Sequence, residues 1–294
     1  MPLVGLLAGK TAIITGGTTG IGRAICLEFL RQGANVVVNH LGLEKDKQHL
    51  DSLIAEAEAL SAPSSSASGQ AGEGTSEVVG RLASSTRVVG TLAHVAGDVR
   101  DPETATKLVA AAVEHSGAAK RLDICVSNAG VCTFADFMTL SPDLFETTVR
   151  TNLGGAFYVT QAAARQMALY QSPTGGSIIG VSSISALVGG GEQTHYTPTK
   201  AGITSLMQST AVALGKYGIR CNALLPGTIR TQLNEQDLAD DAKRSYMEGR
   251  IPLGRTGVPS DLAGPAVFLA CNELSSYVTG AQLLVDGGLF VNLQ

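Results

Sequence analysis

Residues 15–22 read Thr15-Gly16-Gly17-Thr18-Thr19-Gly20-Ile21-Gly22. An apolar, β-branched run, Thr11–Thr15, leads into this stretch, and an amphipathic segment of helical length, Ile21–Gln32, follows it. Glycines at positions 16, 20 and 22 allow a tight turn, a close approach of backbone to ligand, and close packing of helix on strand. Strand, glycine-rich turn and helix in this order predict the phosphate-binding turn of a dinucleotide-binding α/β domain.

Strand-like and helix-like segments alternate along nearly the whole chain. Seven β-branched or apolar runs predict strands at Thr11–Thr15, Asn35–Asn39, Leu92–Ala96, Leu122–Val126, Ser177–Val181, Arg220–Leu225 and Gln282–Val285. Helical patterns between them include Ile21–Gln32, Ala105–His115, Leu144–Leu169 and Thr199–Tyr217. Ser141 and Pro142 are suited to start the third helix, as N-cap and first-turn residue. The alternation predicts one doubly wound, Rossmann-type α/β domain over residues 1–294, with a seven-stranded parallel sheet covered by helices on both faces.

One stretch, residues 61–76, departs from this alternation. Twelve of its sixteen residues are Ser, Ala or Gly. Such a composition buries too little apolar surface to offset the entropy lost on ordering. We expect a mobile surface insertion between a helix and the third strand.

Composition and charge narrow the class of protein. The net charge of −4 provides no basic surface for nucleic acid. The chain has no run of 18 apolar residues, so we expect no membrane span. The first ten residues are too short and too weakly charged to predict a secretion signal. The five cysteines form no CxxC pair and no cluster with the histidines, which favours free thiols, no bound metal and a cytoplasmic location.

The segment that follows the second strand bears on the choice of dinucleotide. An acidic residue at this point selects the ribose 2′-hydroxyl of NAD, and a nearby arginine favours the 2′-phosphate of NADP. This chain has Asn39 and His40 there, and Thr19 in the glycine turn is neutral. The residues leave NAD and NADP both open, with a slight preference for NAD because no fixed cation is evident.

Polar or small residues after the third and fourth strands are expected to border the same crevice. Asp98-Val99 follows the third strand, and Asn128-Ala129-Gly130 follows the fourth. Parallel strands present their carboxyl ends at one edge of the sheet, where ligands bind. Asp98 either accepts a hydrogen bond from the adenine amino group or forms a turn.

Tyr196 and Lys200 are four residues apart, and on a helix they lie on one face. Tyrosine, with an ordinary pKa of about 10, is a poor base at neutral pH, and a neighbouring ammonium lowers that value. Ser183 follows the strand Ser177–Val181 and thirteen residues later comes Tyr196. The Ser183 hydroxyl is placed to hold an oxygen while the Tyr196 phenol moves a proton. The three side chains predict hydride removal from an alcohol carbon.

These motifs together resemble the short-chain dehydrogenase/reductase family over nearly the whole chain. The resemblance rests on the glycine turn, Asn128-Ala129-Gly130, Asn152, Ser183, Tyr196 with Lys200, and Pro226-Gly227. It implies that Tyr196 is the general acid/base and that Ser183 positions the reacting oxygen. Lys200 would bind the nicotinamide ribose and lower the pKa of Tyr196. Asn152 would support a water-mediated proton relay to the lysine.

The same resemblance extends to cofactor contacts, assembly and substrate. It implies that Ile229 and Thr231 lie against the nicotinamide carboxamide, whereas Ser127 departs from the asparagine often found before Asn-Ala-Gly. It also implies a homotetramer paired through long helices, here Leu144–Leu169 and Thr199–Tyr217. The apolar tail Leu289–Leu293 is a further candidate for a subunit contact.

Within the family, five segments are similar to fungal L-rhamnose 1-dehydrogenases. They are Val36–Leu41, Ser127–Cys132, Gly176–Gly190, Gln193–Gly202 and Ala281–Gln294. The resemblance implies oxidation of L-rhamnose at C1 to a lactone, with NAD or NADP reduced. Another aldose, or a ketone or 3-oxoacyl substrate reduced in the opposite direction, is the alternative within the family. A nucleotide-sensing protein without catalysis is the alternative from another class.

A sugar needs polar partners for its remaining hydroxyls, because unpaired polar groups weaken binding. Candidates near the catalytic pair are Ser185, Gln193 and Thr194, and Asn234 follows the Pro226-Gly227 turn. His195 adjoins Tyr196, but neighbouring helical residues point in different directions. We therefore expect His195 to contact solvent or another subunit and not the reacting atoms.

Overall fold

The computed structural model describes residues 5–61, 88–235 and 239–292, except the side chain of Lys45. Within these residues, seven strands form one parallel sheet in the order β3-β2-β1-β4-β5-β6-β7. The strands are β1 Thr11–Thr15, β2 Asn35–His40, β3 Leu92–Ala96, β4 Ile124–Ser127, β5 Gly176–Val181, β6 Ile219–Pro226 and β7 Gln282–Val285. This confirms the predicted α/β fold class. Each predicted strand lies within two residues of the observed one.

Helices connect successive strands across both faces of the sheet. They are α1 Gly20–Arg31, α2 Glu44–Ser61, α3 Pro102–His115, α4 Pro142–Val149, α5 Gly155–Leu169, α6 Thr197–Leu214, α7 Asp241–Arg250, α8 Ala263–Ala270 and α9 Asn272–Ser275, among the described residues. Ser141 caps α4 as predicted, because its hydroxyl accepts a hydrogen bond from the Leu144 amide at 3.2 Å. The predicted insertion begins where α2 ends at Ser61, and its residues 62–76 lie outside the described residues.

Alternate residues of the central strands pack into two separate cores, one on each face of the sheet. Ile14 belongs to the core that contains α1 and α8. Its neighbour Ile13 belongs to the core under α3, α5 and α6. Strands buried on both faces are continuously apolar, as β1 and β2 are. The two cores hold the strand ends rigidly at the edge where the polar residues collect.

The predicted helix Leu144–Leu169 is not one continuous α-helix. A π-helical turn, Arg150–Gly154, separates α4 from α5. The apolar periodicity did not reveal the interruption, because one wide turn leaves both flanking helices in register with the core. π-turns are rare and occur frequently at functional sites. This one carries Asn152, which is fully buried.

The sheet order reverses direction between β1 and β4, so the loops after these strands diverge and leave a crevice at their carboxyl ends. A cleft of about 900 Å³ lies at this edge. Among the helices that the structure describes, none is long and apolar enough to cross a membrane.

Candidate active site

The glycine turn after β1 forms one wall of the cleft, and its backbone requires glycine at several positions. Gly16 and Gly20 have φ angles of 61° and 52°, a region that favours glycine. A Cβ on Gly22 would lie 2.3 Å from the Gly16 carbonyl oxygen. Gly17, which the spacing did not indicate, is required as well, because its Cβ would lie 2.6 Å from Val38 Cγ1. Helix α1 therefore begins in close contact with the end of β1.

The N-terminus of α1 faces the cleft beside this turn. Thr19 is the N-cap residue, and its side chain makes no capping hydrogen bond. The first-turn amides and the positive end of the helix dipole thus remain available for an anion. Thr18, Thr19, Gly20 and Ile21 all line the cleft, whereas Gly22 acts behind it through packing.

Asn128 braces the glycine turn from the end of β4. Its amide Nδ2 donates to the carbonyl oxygens of Thr15 and Gly16 at 2.9 and 3.1 Å. The hydroxyl of Thr15 accepts in return from the amides of Asn128 and Ala129. Asn128, Ala129 and Gly130 line the cleft as predicted, but the Asn128 side chain is committed to holding the turn.

Asn39 and His40 end β2 at the side of the cleft expected to receive the adenosine ribose. The Asn39 amide is buried and donates to the Gly97 carbonyl at 2.9 Å, which ties β2 to β3. His40 Nδ1 accepts from the Gly42 amide at 3.1 Å, and its Nε2 lies 3.2 Å from Nδ1 of His94. Burial and the neighbouring His94 lower the pKa of His40. His40 is therefore neutral at pH 7.

Asp98 and Val99 follow β3 and line the cleft as predicted. The Asp98 carboxylate accepts from Nε of Arg100 at 2.8 Å, and this pairing holds the pKa of Asp98 below its ordinary value. The Arg100 side chain also lines the cleft. Val99 packs on α5, where a Cβ on Gly155 would lie 2.8 Å from Val99 Cγ2. Arg100 was not predicted, because its pairing depends on the turn that Asp98 makes.

Ser183, Tyr196 and Lys200 meet at the other end of the cleft, which each of them lines. Tyr196 immediately precedes α6, and the Lys200 amide donates to its carbonyl at 3.2 Å. Nζ of Lys200 lies 5.5 Å from the centre of the Tyr196 ring and donates to the Val181 carbonyl at 3.0 Å. The Ser183 hydroxyl hydrogen-bonds to the phenol. The three predicted side chains are thus brought together.

The charges of this group differ from the expectation that Lys200 lowers the pKa of Tyr196. Burial raises the pKa of the Tyr196 phenol, and only the hydrogen bond from Ser183 acts in the opposite direction among the influences on it. Burial also lowers the pKa of Lys200 to about 8. Within the protein alone this expectation is therefore wrong, because desolvation is the largest influence on the pKa of both groups.

Asn152 lies behind Ser183, Tyr196 and Lys200, and its side chain makes three hydrogen bonds. Its Oδ1 accepts from the Val131 amide at 2.8 Å, and Nδ2 donates to the Val131 carbonyl at 2.9 Å and to Thr199 Oγ1 at 3.1 Å. Thr199 in turn donates to the Tyr196 carbonyl at 2.7 Å. A side chain at Gly130 would contact both Asn152 and Lys200 Nζ. Asn152 therefore links the segment after β4 to the start of α6.

The segment after β6 closes the cleft over the glycine turn. Pro226, Gly227, Ile229 and Thr231 line it as predicted, and Thr231 Cγ2 would lie 3.3 Å from a Cβ on Gly20. Asn234 also lines the cleft, but its Oδ1 accepts from the Thr231 amide and its Nδ2 donates to the Ile229 carbonyl, both at 2.9 Å. Its side chain thus closes a local turn and is less available to a substrate.

The candidate substrate residues divide into two groups. Ser185 and Gln193 line the cleft. The Ser185 amide donates to Ser183 Oγ at 3.1 Å, and Gln193 Nε2 lies 3.4 Å from the sulfur of Cys132. Thr194 is not among the lining residues, and its hydroxyl is buried with no hydrogen-bond partner. Its side chain is turned into the protein, so the structure does not support Thr194 as a substrate contact.

His195 is completely buried, and neither ring nitrogen has a hydrogen-bond partner. The expectation that it contacts solvent is wrong. The segment before α6 folds back under the chain, and a local periodicity argument does not register that packing.

Several further residues line the cleft without having been predicted. They are Cys132, Phe134, Met247, Arg250, Leu289, Phe290 and Asn292. Leu289 and Phe290 belong to the tail considered above for a subunit contact, and they line a cleft within their own chain. No sequence motif marks these positions, because only the folding of α7 and the tail over β6 brings them here.

The cleft fits a nicotinamide dinucleotide. The glycine turn and the α1 N-terminus offer amides to phosphates, where a Cβ on Gly22 would collide with backbone. A volume of about 900 Å³ is within the range of cofactor sites. The predicted catalytic side chains lie at the opposite end from His40, so the two halves of a dinucleotide have distinct partners.

The chain matches two family models, short chain dehydrogenase over residues 10–65 and Enoyl-(Acyl carrier protein) reductase over residues 67–290. L-rhamnose-1-dehydrogenase of Scheffersomyces stipitis is 55% identical over 99% of this chain and 100% of its own length. L-rhamnose 1-dehydrogenase (NAD(P)(+)) of a Sphingomonas species is 52% identical over 98% of this chain and 99% of its own length. A solved short-chain type dehydrogenase/reductase from Mycobacterium marinum superposes with a TM-score of 0.76 at 32% identity, with 96% of each chain covered.

Proposed function

The chain belongs to the short-chain dehydrogenase/reductase family, and on that premise we propose that it oxidises L-rhamnose at its anomeric carbon with NAD or NADP. The observation that carries the proposal is the meeting of Ser183, Tyr196 and Lys200 at one end of a dinucleotide-sized cleft. The substrate follows from the full-length similarity to relatives named for this reaction. The product is L-rhamnono-lactone.

Tyr196 is the general base of the proposed reaction. Its phenolate takes the proton of the C1 hydroxyl, the C1–H bond breaks, and the C1–O bond becomes the lactone carbonyl. The oxidised nicotinamide, when bound, accepts the hydride from C1. Ser183, which hydrogen-bonds to the phenol, holds the same sugar oxygen and so aligns it with the base.

Lys200 supplies the positive charge that the phenolate needs. Its ammonium lies on the Tyr196 ring and is anchored by the Val181 carbonyl. Because burial lowers its pKa to about 8, the cation is present at neutral pH and is lost as the pH rises beyond that value. A second positive charge at the bound nicotinamide strengthens the same effect on the phenol.

Asn152 is a positioning residue in this proposal. Its three hydrogen bonds hold Val131 and Thr199, and Thr199 holds the Tyr196 carbonyl. A water-mediated relay through Asn152 to Lys200 remains part of the proposal. The space beside Gly130, where an added Cβ would lie 3.3 Å from Asn152 Oδ1 and 3.5 Å from Lys200 Nζ, is where such a relay would pass.

At the end of the cleft beside Tyr196, polar and apolar groups combine, as a 6-deoxy sugar requires. Gln193, Ser185 and Asn292 offer hydrogen bonds to the ring hydroxyls, while Phe134 and Phe290 offer apolar surface to the methyl group. A ketone or 3-oxoacyl reductase would use the same Tyr196 in the opposite direction. The number of polar groups at this end favours the sugar.

We propose NAD as the preferred cofactor at neutral pH. His40 is neutral there, Arg100 is paired with Asp98, and the Asp46 carboxylate lines the same end of the cleft. We also propose a homotetramer and a cytoplasmic location. Apolar side chains exposed on α5 and α6 support the first, and five unpaired cysteines support the second.

Initial rates of nicotinamide reduction test this proposal. L-rhamnose, L-lyxose, L-mannose and D-glucose are compared with NAD and with NADP, and reductase activity is measured with a 3-oxoacyl thioester. We expect the highest kcat/KM for L-rhamnose, with lactone as the product. Reduced-nicotinamide oxidation with the thioester, and no activity with any sugar, would instead establish the reductase. Cofactor binding with neither sugar oxidation nor thioester reduction would establish the nucleotide-sensing protein without catalysis.

Tyr196→Phe is the matched catalytic variant. It removes the phenol oxygen and leaves the ring, so kcat should fall by about 10²–10⁴-fold while cofactor binding persists. Tyr170→Phe, at an exposed position after α5, is the control and should retain full activity. Near-normal turnover in Tyr196→Phe would refute the assignment.

A further inference from the structure

His40 and His94 form a hydrogen-bonded pair at the adenosine end of the cleft. They lie on neighbouring strands, where His94 is opposite Val38 in the register of β2 and β3. Both side chains therefore project from the same face of the sheet. His40 is nearly buried and lines the cleft, while His94 is on the exposed edge strand.

The hydrogen bonds assign the proton positions in this pair. His40 Nδ1 accepts from the Gly42 amide, so the proton of the neutral ring is on Nε2 and is donated to Nδ1 of His94. The donor of His40 is then used within the pair. An additional proton has to go on Nδ1 of His40 or of His94, and it therefore displaces one of these two hydrogen bonds and leaves an N–H free for an anion.

The charged groups around the pair lie on α1, on α2 and on the segment after β3. Asp46 of α2 favours the protonated form of His40, and its carboxylate lines the cleft. Arg100, after β3, is paired with Asp98. Arg23 of α1 is bound to the His49 carbonyl and to Glu56. Arg100 and Arg23 are thus already paired, and Asp46 lines the cleft.

We propose that the His40–His94 pair determines cofactor choice by binding the 2′-phosphate of NADP only when it takes up a proton, so that NADP gains on NAD as the pH falls. The inference rests on the proposed function, because it concerns the cofactor of that reaction. The neutral pair is compatible with the 2′-hydroxyl of NAD. The protonated pair offers a cation and a free N–H to a phosphate monoester.

The direction of the pH effect follows from proton linkage. Above the pKa of the pair, each NADP bound brings one proton with it, so its dissociation constant falls up to tenfold for each pH unit lowered. Binding of NAD takes up no proton at this site. The affinity for NADP relative to NAD stops increasing below about pH 6, where the 2′-phosphate itself is protonated. The charge of Asp46 favours the protonated form of His40 and assists the uptake.

Direct binding measurements test the inference without sugar oxidation. NADPH and NADH are titrated into the protein at pH 6, 7 and 8, with the fluorescence of the reduced nicotinamide as readout. The ratio of the dissociation constants, NADPH over NADH, should fall by about tenfold or more from pH 8 to pH 6. Calorimetry at pH 7 in two buffers of different ionisation enthalpy should show proton uptake with NADPH and none with NADH.

His94→Gln keeps a hydrogen-bond acceptor for His40 but removes the imidazole partner. It should bind NADH normally, which shows that it is folded, and lose the pH dependence of the ratio. His49→Gln, on the exposed face of α2, is the control and should keep it. A ratio that is constant with pH in the unaltered protein, or an unchanged slope in His94→Gln, overturns the inference. If Arg100→Gln loses NADPH binding while His94→Gln keeps the pH dependence of the ratio, then Arg100 and not the histidine pair binds the 2′-phosphate. Because only binding is measured, these outcomes are independent of whether L-rhamnose is the substrate.

Discussion

At the scale of single residues, the site depends on charges held away from water. Burial lowers the pKa of Lys200 from its ordinary value of 10.5 to about 8, which corresponds to roughly 3 kcal/mol of disfavoured charge. Burial acts on Tyr196 in the opposite sense and favours the neutral phenol. Burial thus favours the uncharged form of both side chains, and a cationic ligand beside them would shift the balance toward phenolate.

Replacing Lys200 with methionine tests this balance. We expect kcat/KM for sugar oxidation to rise with pH in the unaltered enzyme up to about pH 8, above which Lys200 loses its charge. In Lys200→Met, kcat/KM should fall by about 10²-fold or more. The remaining activity should rise only at higher pH, because the phenolate has lost its cation. Lys216→Met is the matched control, since Nζ of Lys216 lies 5.1 Å from the Tyr217 ring outside the cleft. An unchanged pH profile in Lys200→Met would contradict the role.

Cys132 differs from the other four cysteines in its accessibility. It lines the cleft and is partly exposed, whereas Cys26, Cys125, Cys221 and Cys271 are buried. Burial raises the pKa of Cys132, so its reaction should be slow at neutral pH and faster in alkali. A chromogenic thiol reagent should modify a single thiol in the native protein and all five after denaturation. Cys132→Ser should abolish the native reaction, and rapid modification of a second thiol would show that the fold opens.

At the scale of elements, two irregular backbone segments position the chemistry. The glycine turn brings α1 against β1, and the π-turn Arg150–Gly154 brings Asn152 beneath the segment after β4. Each is braced by side-chain to backbone hydrogen bonds from a distant strand or helix. The regular strands and helices supply the frame, and these two turns set where the phosphates and the phenol lie.

Gly22→Ala is expected to disrupt the first of these segments. Its Cβ would lie 2.3 Å from the Gly16 carbonyl oxygen and 2.5 Å from Asn128 Nδ2. We expect the free energy of unfolding to fall by about 1–3 kcal/mol, as for other overpacked sites, and cofactor affinity to fall with it. Gly264→Ala provides the comparison, because no atom lies within 4 Å of its Cβ position in α8. It should raise stability by up to about 1 kcal/mol. Denaturant unfolding and fluorescence titration of both variants measure the contrast, and equal effects would contradict the packing role.

At the scale of the whole molecule, one chain contributes both ends of the cleft, and its outer face is incompletely covered. Val212 on α6 is 88% exposed, and Phe157 and Leu169 on α5 are also exposed. A row of apolar side chains on adjacent helices is typical of an interface. It supports the proposed pairing of subunits through these helices.

Light scattering on the purified protein tests the assembly. We expect a mass four times that of the 30.2 kDa chain. Val212→Asp should reduce the mass, because association would bury an unpaired charge. Leu43→Asp, at an exposed apolar residue outside both helices, should leave it unchanged. A monomeric mass for the unaltered protein would refute the proposed tetramer.

Local patterns in the sequence determined the sheet, the glycine turn and the catalytic spacing. Strand and helix periodicities are properties of neighbouring residues, and so are the four-residue interval from Tyr196 to Lys200 and the place of Ser183 at a strand end. These features depend little on the surrounding packing, which is why the fold class and the meeting of Ser183, Tyr196 and Lys200 in one cleft could be predicted.

Only the tertiary structure decided which groups are buried and which distant residues meet. The His40–His94 pair joins positions 54 residues apart, and the tail residue Phe290 reaches the cleft only because the chain folds back over β6. The burial of His195, the π-turn at Asn152 and the raised pKa of Tyr196 have the same origin. Desolvation and hydrogen bonding depend on every element packed around a group, and a linear pattern carries no record of those contacts.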